Sequence, residues 1–234
     1  YFSTVTNSWR SFYIYTPPGY DENINEKYPV LYIQHGGGED ERGWTAQGLT
    51  DLILDNLIAE GKAKPMLVVM MDGNFGGGGL QGFGEPVLRM FENELKNVVI
   101  PFVEKNYRAK SDANSRALAG LSMGGLQTLY AGVKNTQLFA YLGVFSSGWF
   151  ANRDDLSKPQ YEFMQKNKDE INRNLKSFWI AMVGQEDIAY NNNKVMMAKF
   201  DEIGIKYTYS EYPGGHTWPV WRNNLYNFAQ VLFK

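Results

Sequence analysis

The sequence AGLSMGG, residues 119–125, places a serine in a G-x-S-x-G pattern. A strand-length apolar run, 115–121, precedes Ser122, and a segment of helical period, 124–134, follows it. Glycines at such a strand-to-helix turn permit the unusual backbone angles that expose a hydroxyl above a sheet. The pattern therefore predicts that Ser122 is a nucleophile for acyl transfer. The alternative is a small-residue turn that only lets the helix pack closely.

A serine nucleophile needs a base, and the chain offers two histidines, His35 and His216, and no cysteine. Where a serine occupies this turn, the acid and the histidine follow it along the chain, in that order. His35 precedes Ser122, so elimination predicts His216, in YPGGHTW, as the base. We expect His35 to be structural and to bond the backbone of its own loop.

The acid should lie between the serine and the base, in a loop that follows a strand. Asp187, in VGQED, comes directly after the apolar run 178–183 and satisfies both conditions. Its neighbour Glu186 is a competitor, whereas Asp154 and Asp155 lie in a polar segment with no strand before them. Asp187 is predicted to orient the base, the alternative being a helix cap or a surface charge.

An oxyanion intermediate needs backbone N–H donors, one after the nucleophile and one from the loop after an earlier strand. Met123 is predicted to supply the first. The glycine run QHGGG, residues 34–38, supplies the second, with Gly37 the preferred donor because glycine lets the backbone approach closely. A phosphate cradle is disfavoured because no Lys-Ser/Thr follows the glycines.

The elements that position these residues alternate between strand-length apolar runs and helical periods, which predicts an α/β fold with a mostly parallel sheet flanked by helices. The segment 72–85, with seven glycines, is predicted as a mobile loop, and the polar segment 147–177 as a cap or lid between strands. The predicted strands are 11–15, 30–34, 66–71, 115–121, 139–145, 178–183 and 206–211; the predicted helices are 50–60, 87–107 with a kink at Pro101, 124–134, 194–203 and 219–233.

Composition excludes several function classes. The chain has 234 residues, 44% of them apolar, which fits one large domain, 1–234, or at most two small ones. The net charge is −2 without a basic run, so we expect no nucleic-acid or membrane partner. With no cysteine, two histidines and no HExxH spacing, a metal site is not expected. The start at Tyr1, without a signal core, is read as that of a mature or excised domain.

Aromatic residues make up 15% of the chain and suit flat ligands such as phenols and sugar rings. Trp44, Trp149 and Trp218 are predicted to lie near the carboxyl ends of strands and to contact substrate. Packing within the loops is an equally good interpretation of each one.

Taken together, these motifs resemble carbohydrate esterase family one, with its feruloyl esterases and acetyl xylan esterases, and the related enterochelin esterases, esterase D and mycolyltransferases. The resemblance covers nearly the whole chain, with the departure Met71-Asp72-Gly73 where relatives commonly have Pro-Asn-Gly. It implies an α/β-hydrolase fold, a Ser-Asp-His triad without cofactor, and a secreted or periplasmic location in a bacterium. The resemblance rests on residues 12–44, 54–70, 116–125, 183–187 and 212–228.

The expected function is that of a serine carboxylic-ester hydrolase, first a feruloyl esterase acting on plant arabinoxylan and second an acetyl xylan esterase. A siderophore trilactone esterase is disfavoured because no Arg and Lys cluster is apparent. A non-catalytic carbohydrate-binding protein is disfavoured because it would not need Ser122, Asp187 and His216 together. The first twenty residues resemble the junction that follows a carbohydrate-binding or xylanase module, so we expect a domain cut from a multimodular protein.

Overall fold

The computed structural model describes residues 1–76 and 83–234, except for the side chain of Val183. The strands are β1 (Phe2–Ser3), β2 (Ser8–Trp9), β3 (Phe12–Tyr15), β4 (Val30–Gln34), β5 (Leu67–Met71), β6 (Arg116–Leu121), β7 (Tyr141–Phe145), β8 (Ser177–Val183) and β9 (Thr208–Tyr212). The α-helices are α1 (Gly43–Ala46), α2 (Thr50–Ala59), α3 (Glu85–Glu94), α4 (Ile100–Asn106), α5 (Met123–Lys134), α6 (Asp154–Asn174), α7 (Tyr190–Ile203) and α8 (Trp218–Ala229).

Strands β3 to β9 form one seven-stranded sheet in the order β3-β5-β4-β6-β7-β8-β9. Strand β3 runs antiparallel to β5, and every other neighbouring pair is parallel. Strands β4 to β7 are buried along their whole length, which explains why they read as continuous apolar runs rather than alternating ones. The prediction of a mostly parallel α/β fold is confirmed.

Alternate side chains of the central strands contribute to two core layers, as the twofold repeat of a strand requires. Tyr32 and Val69 pack into the layer beneath α3 to α7, whereas Leu31 and Ile33 pack into the layer beneath α2 and α8. The sheet is therefore covered on both faces. Because its central strands are parallel, the loops after β4, β6, β7, β8 and β9 meet at one edge.

Two segments differ from the sequence predictions. The segment 147–177, predicted as an inserted cap, is largely the helix α6, which connects β7 to β8 and buries Leu156, Met164 and Ile171. These apolar residues are seven or eight positions apart, too sparse to reveal the helix by periodicity. The predicted helix 87–107 contains a π-helical turn, Leu95–Val99, just before Pro101, which lacks the N–H of a regular turn.

The predicted glycine-rich loop falls partly outside the described residues, since residues 77–82 are not among them. Among the helices of the described residues, none is both long enough and apolar enough to cross a membrane.

Candidate active site

Ser122 occupies the sharp turn between β6 and α5, with φ 52° and ψ −116°. The flanking glycines are required by space, because a Cβ on Gly120 would lie 2.4 Å from the carbonyl carbon of Gly124. A Cβ on Gly124 would in turn lie 2.6 Å from the Cβ of Gln34. Strand β4, the helix and the turn thus approach so closely that only glycine fits. The arrangement leaves the Ser122 side chain lining a cavity at the carboxyl edge of the sheet.

Hydrogen bonds from neighbouring loops fix this turn. The Ser122 N–H donates to Phe145 O at 2.9 Å, and the Gly124 N–H donates to His35 O at 3.1 Å. The Ser147 hydroxyl donates to Ser122 O at 2.7 Å. The strained backbone of the serine is therefore held by groups at the ends of β4 and β7, which is how such conformations persist.

His216 and Asp187 come together from the loops after β9 and β8. The Nδ1 of His216 lies 2.9 Å from Oδ1 of Asp187, and the Asp187 carboxylate has no exposed surface. Because a carboxylate only accepts hydrogen bonds, Nδ1 carries the proton and Nε2 is left with a lone pair. His216 lines the same cavity as Ser122.

The Asp187 carboxyl has a lowered pKa. Burial, the largest single influence, raises the pKa, but the hydrogen bonds from His216 and from the Ala189 N–H, together with the histidine charge, more than offset it. Asp187 is thus ionised at neutral pH and can both orient His216 and stabilise an imidazolium.

The competing carboxylates are placed elsewhere. Glu186 is exposed, and Asp155, in the first turn of α6, pairs with Arg153 at 2.8 Å. Asp154 begins the same helix. Of the candidates considered from the sequence, Asp187 is the one that the structure joins to His216.

His35 is buried, and both of its ring nitrogens bond to backbone. Nδ1 lies 2.7 Å from Gly36 O, and Nε2 accepts from the Gly73 N–H at 2.9 Å. Since the Gly36 carbonyl can only accept, these partners assign the proton to Nδ1. The ring thereby ties the glycine-rich loop after β4 to the loop after β5, in line with the structural role expected for it.

The backbone around the predicted oxyanion donors shows which N–H groups are already used. The Gly36 N–H donates to Oε2 of Glu39 at 2.9 Å. Within residues 1–76 and 83–234, the N–H groups of Gly37 and Met123 have no hydrogen-bond partner. Gly37 also approaches Phe83, since a Cβ built on it would lie 3.6 Å from the ring. As far as the described residues go, Gly37 and Met123 therefore have N–H groups available beside the cavity.

The three predicted tryptophan contacts do not line the cavity. Trp44 and Trp149 are each 1% exposed, and Trp218 is 9% exposed. Trp44 donates its indole N–H to Gln34 O at 2.8 Å and packs edge-to-face on Trp218 at 5.1 Å. These rings pack inside the protein because wide apolar surfaces are buried when the loops close over the sheet. All three rings are packed among protein side chains.

The cavity has its own apolar wall, which the sequence reasoning missed. Phe83 and Phe150 contact each other edge-to-face, with ring centroids 5.7 Å apart at 87°, and Ile188 is 81% exposed beside them. The sequence offers one signal for two of these residues. Ile188 directly follows Asp187, and Phe150 directly follows Trp149. The described residues that line the cavity are Phe83, Ser122, Met123, Leu126, Ser146, Ser147, Gly148, Phe150, Ile188, Ala189, Asn192 and His216.

In the part of the chain that the structure describes, no three or more His, Asp or Glu side chains are grouped so that they could hold a metal ion. The donors at the site suit proton transfer and oxyanion binding.

Comparison with known proteins identifies the family. A family model described as "Putative esterase" matches residues 3–230 of the chain. The chain belongs to this family. It is 32% identical over 243 residues to an endo-1,4-beta-xylanase/feruloyl esterase of Xylanibacter ruminicola, an alignment that covers 100% of this chain and 31% of that protein. The chain thus spans about a third of that relative's length.

Solved structures of esterases resemble this one closely. The CE1 ferulic acid esterase of Anaeromyces mucronatus, in complex with ferulic acid, superposes with a TM-score of 0.83 at 25% identity, covering 100% of this chain and 88% of that one. A mutant feruloyl esterase module of Clostridium thermocellum, complexed with sinapinate, gives a TM-score of 0.80 at 27% identity, with 100% and 86% covered. These similarities confirm the α/β-hydrolase fold expected from the sequence.

Proposed function

We propose that this chain is a serine esterase of the feruloyl type, which releases hydroxycinnamic acids from plant arabinoxylan through Ser122, His216 and Asp187. One observation carries the proposal. The serine and the histidine line a single cavity that has an edge-to-face phenylalanine pair in its wall, and the histidine is bonded to a buried carboxylate. The names of the relatives support the same chemistry.

The acylation step uses the free nitrogen of His216. Nε2 accepts the Ser122 proton as Oγ attacks the ester carbonyl carbon, and the electron pair of the C=O bond moves to oxygen. The N–H groups of Gly37 and Met123 stabilise this oxyanion. The carbonyl then re-forms, and the proton on Nε2 passes to the departing sugar oxygen, which leaves an acyl-serine and a free alcohol.

Deacylation repeats the sequence with water. Nε2 takes a proton from water as its oxygen attacks the acyl-serine, and the same proton returns to Ser122 Oγ when the acid leaves. Asp187 holds Nδ1–H throughout, so the ring presents the same nitrogen in both half-reactions. Electrostatic stabilisation of the imidazolium requires the ionised carboxyl that the lowered pKa provides.

The cavity wall favours an aromatic acyl group. Phe83, Phe150 and Ile188 offer apolar surface to a phenolic ring, and an acetyl group is too small to cover it. Acetyl xylan esterase therefore stays the second candidate. The described lining contains no Arg or Lys, which disfavours an anionic catecholate siderophore.

Two further expectations from the sequence stay proposals. We propose that the domain works beside a xylanase or carbohydrate-binding module, as the name of the Xylanibacter relative suggests for that protein. We also propose a secreted or periplasmic location, because an insoluble plant polysaccharide is found outside cells.

The test compares wild type with Ser122→Ala on methyl ferulate, feruloylated arabinoxylan and acetylated xylan. We expect ferulate release by wild type and a loss of at least about 10⁴-fold in the variant. Equal rates for the two proteins would refute the serine mechanism. Rapid acetate release without ferulate release would refute the aromatic acyl preference.

A further inference from the structure

Glu39 joins the two loops that hold the proposed oxyanion donor and the proposed base. Its Oε2 accepts from the Gly36 N–H at 2.9 Å, and its Oε1 accepts from the indole N–H of Trp218 at 2.8 Å. The carboxylate lies outside the cavity lining, so it does not contact the space where substrate would react. Among the residues that the structure describes, each of its oxygens has one partner, and the two partners come from opposite ends of the chain.

On one side, Glu39 fixes the glycine-rich loop. Gly36 abuts the nucleophile, because a Cβ built on it would lie 3.5 Å from the Cβ of Ser122. The preceding carbonyl, His35 O, is held by the Gly124 N–H of the serine turn. With the Gly36 N–H bound to Glu39, the next N–H, that of Gly37, is the one left for an oxyanion.

On the other side, Glu39 acts on the base through aromatic rings. Trp218, whose N–H it accepts, packs edge-to-face on Trp221 at 5.2 Å and 85°. Trp221 packs edge-to-face on the His216 ring at 5.0 Å and 89°, and its own N–H donates to the Ser146 hydroxyl at 2.9 Å. A shift of Trp218 would therefore move the surface against which the imidazole rests.

We propose that Glu39 is a positioning residue that fixes the position of the oxyanion loop relative to the His216 ring. This inference rests on the proposed function. Catalysis of acyl transfer depends on the relative placement of donor and base to within a fraction of an ångström. A single carboxylate bound to both loops meets that need without touching substrate.

The matched variants are Glu39→Gln, Trp218→Phe and Glu41→Gln. A glutamine has one acceptor oxygen, so at position 39 it satisfies one N–H and sets its own N–H against the other. Trp218→Phe removes the indole N–H but keeps a ring against Trp221. Glu41 lies in the same loop, and its one hydrogen-bond donor in residues 1–76 and 83–234 is the exposed Ser11 hydroxyl, so its variant is the control.

We expect Glu39→Gln and Trp218→Phe each to lower kcat on methyl ferulate about tenfold with KM within about twofold of wild type. The double variant should be close to the single variants, because both break one connection. Glu41→Gln should match wild type. With only two histidines, the Nδ1–H resonance of His216 can be followed by NMR, and it should move in both single variants.

The inference is overturned if these variants lower the melting temperature but leave kcat and the His216 resonance unchanged, since Glu39 would then serve stability alone. Additive losses in the double variant would also overturn it. Failure of the proposed function has a different signature, which is wild-type turnover in Ser122→Ala. The resonance is measured without turnover, so it tests the positioning of His216 whichever substrate is used.

Discussion

The two histidine loops of this protein are similar in sequence but differ in how many ring nitrogens of the histidine are hydrogen-bonded. Each histidine follows a strand of the sheet, lies beside glycines and has an aspartate nearby, Asp72 at 3.5 Å from His35 and Asp187 at 2.9 Å from His216. Both ring nitrogens of His35 are hydrogen-bonded to backbone groups, whereas one ring nitrogen of His216 is hydrogen-bonded to a carboxylate. Residue type is the same, and the hydrogen-bond partners decide which ring can move a proton.

The largest effect should come from removing the histidine with the free nitrogen. His216→Ala should reduce kcat on methyl ferulate on the order of 10⁵-fold, because it removes the base that is proposed to take the serine proton. The measurement is initial-rate kinetics, with circular dichroism to show that the fold is kept. Residual turnover above a few per cent of wild type would mean that His216 is not the base.

The next largest effect should come from Asp187→Asn, which removes the carboxylate that distinguishes the two rings. The asparagine amide can donate to Nδ1, which puts the histidine proton on Nε2 and blocks it as a base, so kcat should fall about 10⁴-fold. Glu186→Gln is the matched control and should change kcat little. Equal losses in both variants would show that the Asp187 contact is not decisive.

His35→Ala should affect stability more than chemistry. It removes two buried hydrogen bonds and leaves the Gly73 N–H unpaired, which should lower the free energy of unfolding by about 2–4 kcal/mol. Urea unfolding measures the loss, and kcat is normalised to the folded fraction. If the His35→Ala protein were well folded but as inactive as His216→Ala, His35 would not be purely structural.

The smallest effect should be on the free energy of unfolding at acid pH, where Asp187 becomes protonated. The folded pKa of Asp187 is lowered, so the stability it contributes is present above its unfolded pKa, about 3.9, and is lost as pH falls through the folded value. In His216→Ala the hydrogen bond and the charge that lower this pKa are gone while burial still raises it, so the loss of stability that Asp187 causes on acidification should shrink or disappear. Denaturant midpoints from pH 3 to 7 measure this, and superimposable profiles would contradict the coupling.

Much of the site could be predicted because its signals are local. The glycines around Ser122, the order of serine, acid and base, and the strand before Asp187 all lie within short stretches of chain. The alternatives left open there, Glu186 and the two aspartates of α6, were separated only by the structure. Periodicity also predicted the sheet, but it missed α6, whose buried residues are too widely spaced.

The cavity lining could not be predicted, because adjacent aromatic residues have opposite environments. Trp149 is 1% exposed in the core, while Phe150, the next residue, lines the cavity beside Phe83. Residue type and position after a strand are what point to the tryptophans. Neither property says which way a loop side chain turns, since that depends on what packs against it from distant segments.

By itself, the sequence determined the fold class, the serine turn and the order of the proposed triad, because glycine requirements and strand patterns are properties of neighbouring residues. Only the tertiary structure decided that Asp187 bonds His216, that His35 has no free nitrogen, and that Glu39 connects to Trp218 across the sheet edge. These contacts join residues from 29 to 179 positions apart. Their geometry comes from how parallel strands bring distant loops to one edge, which no local pattern records.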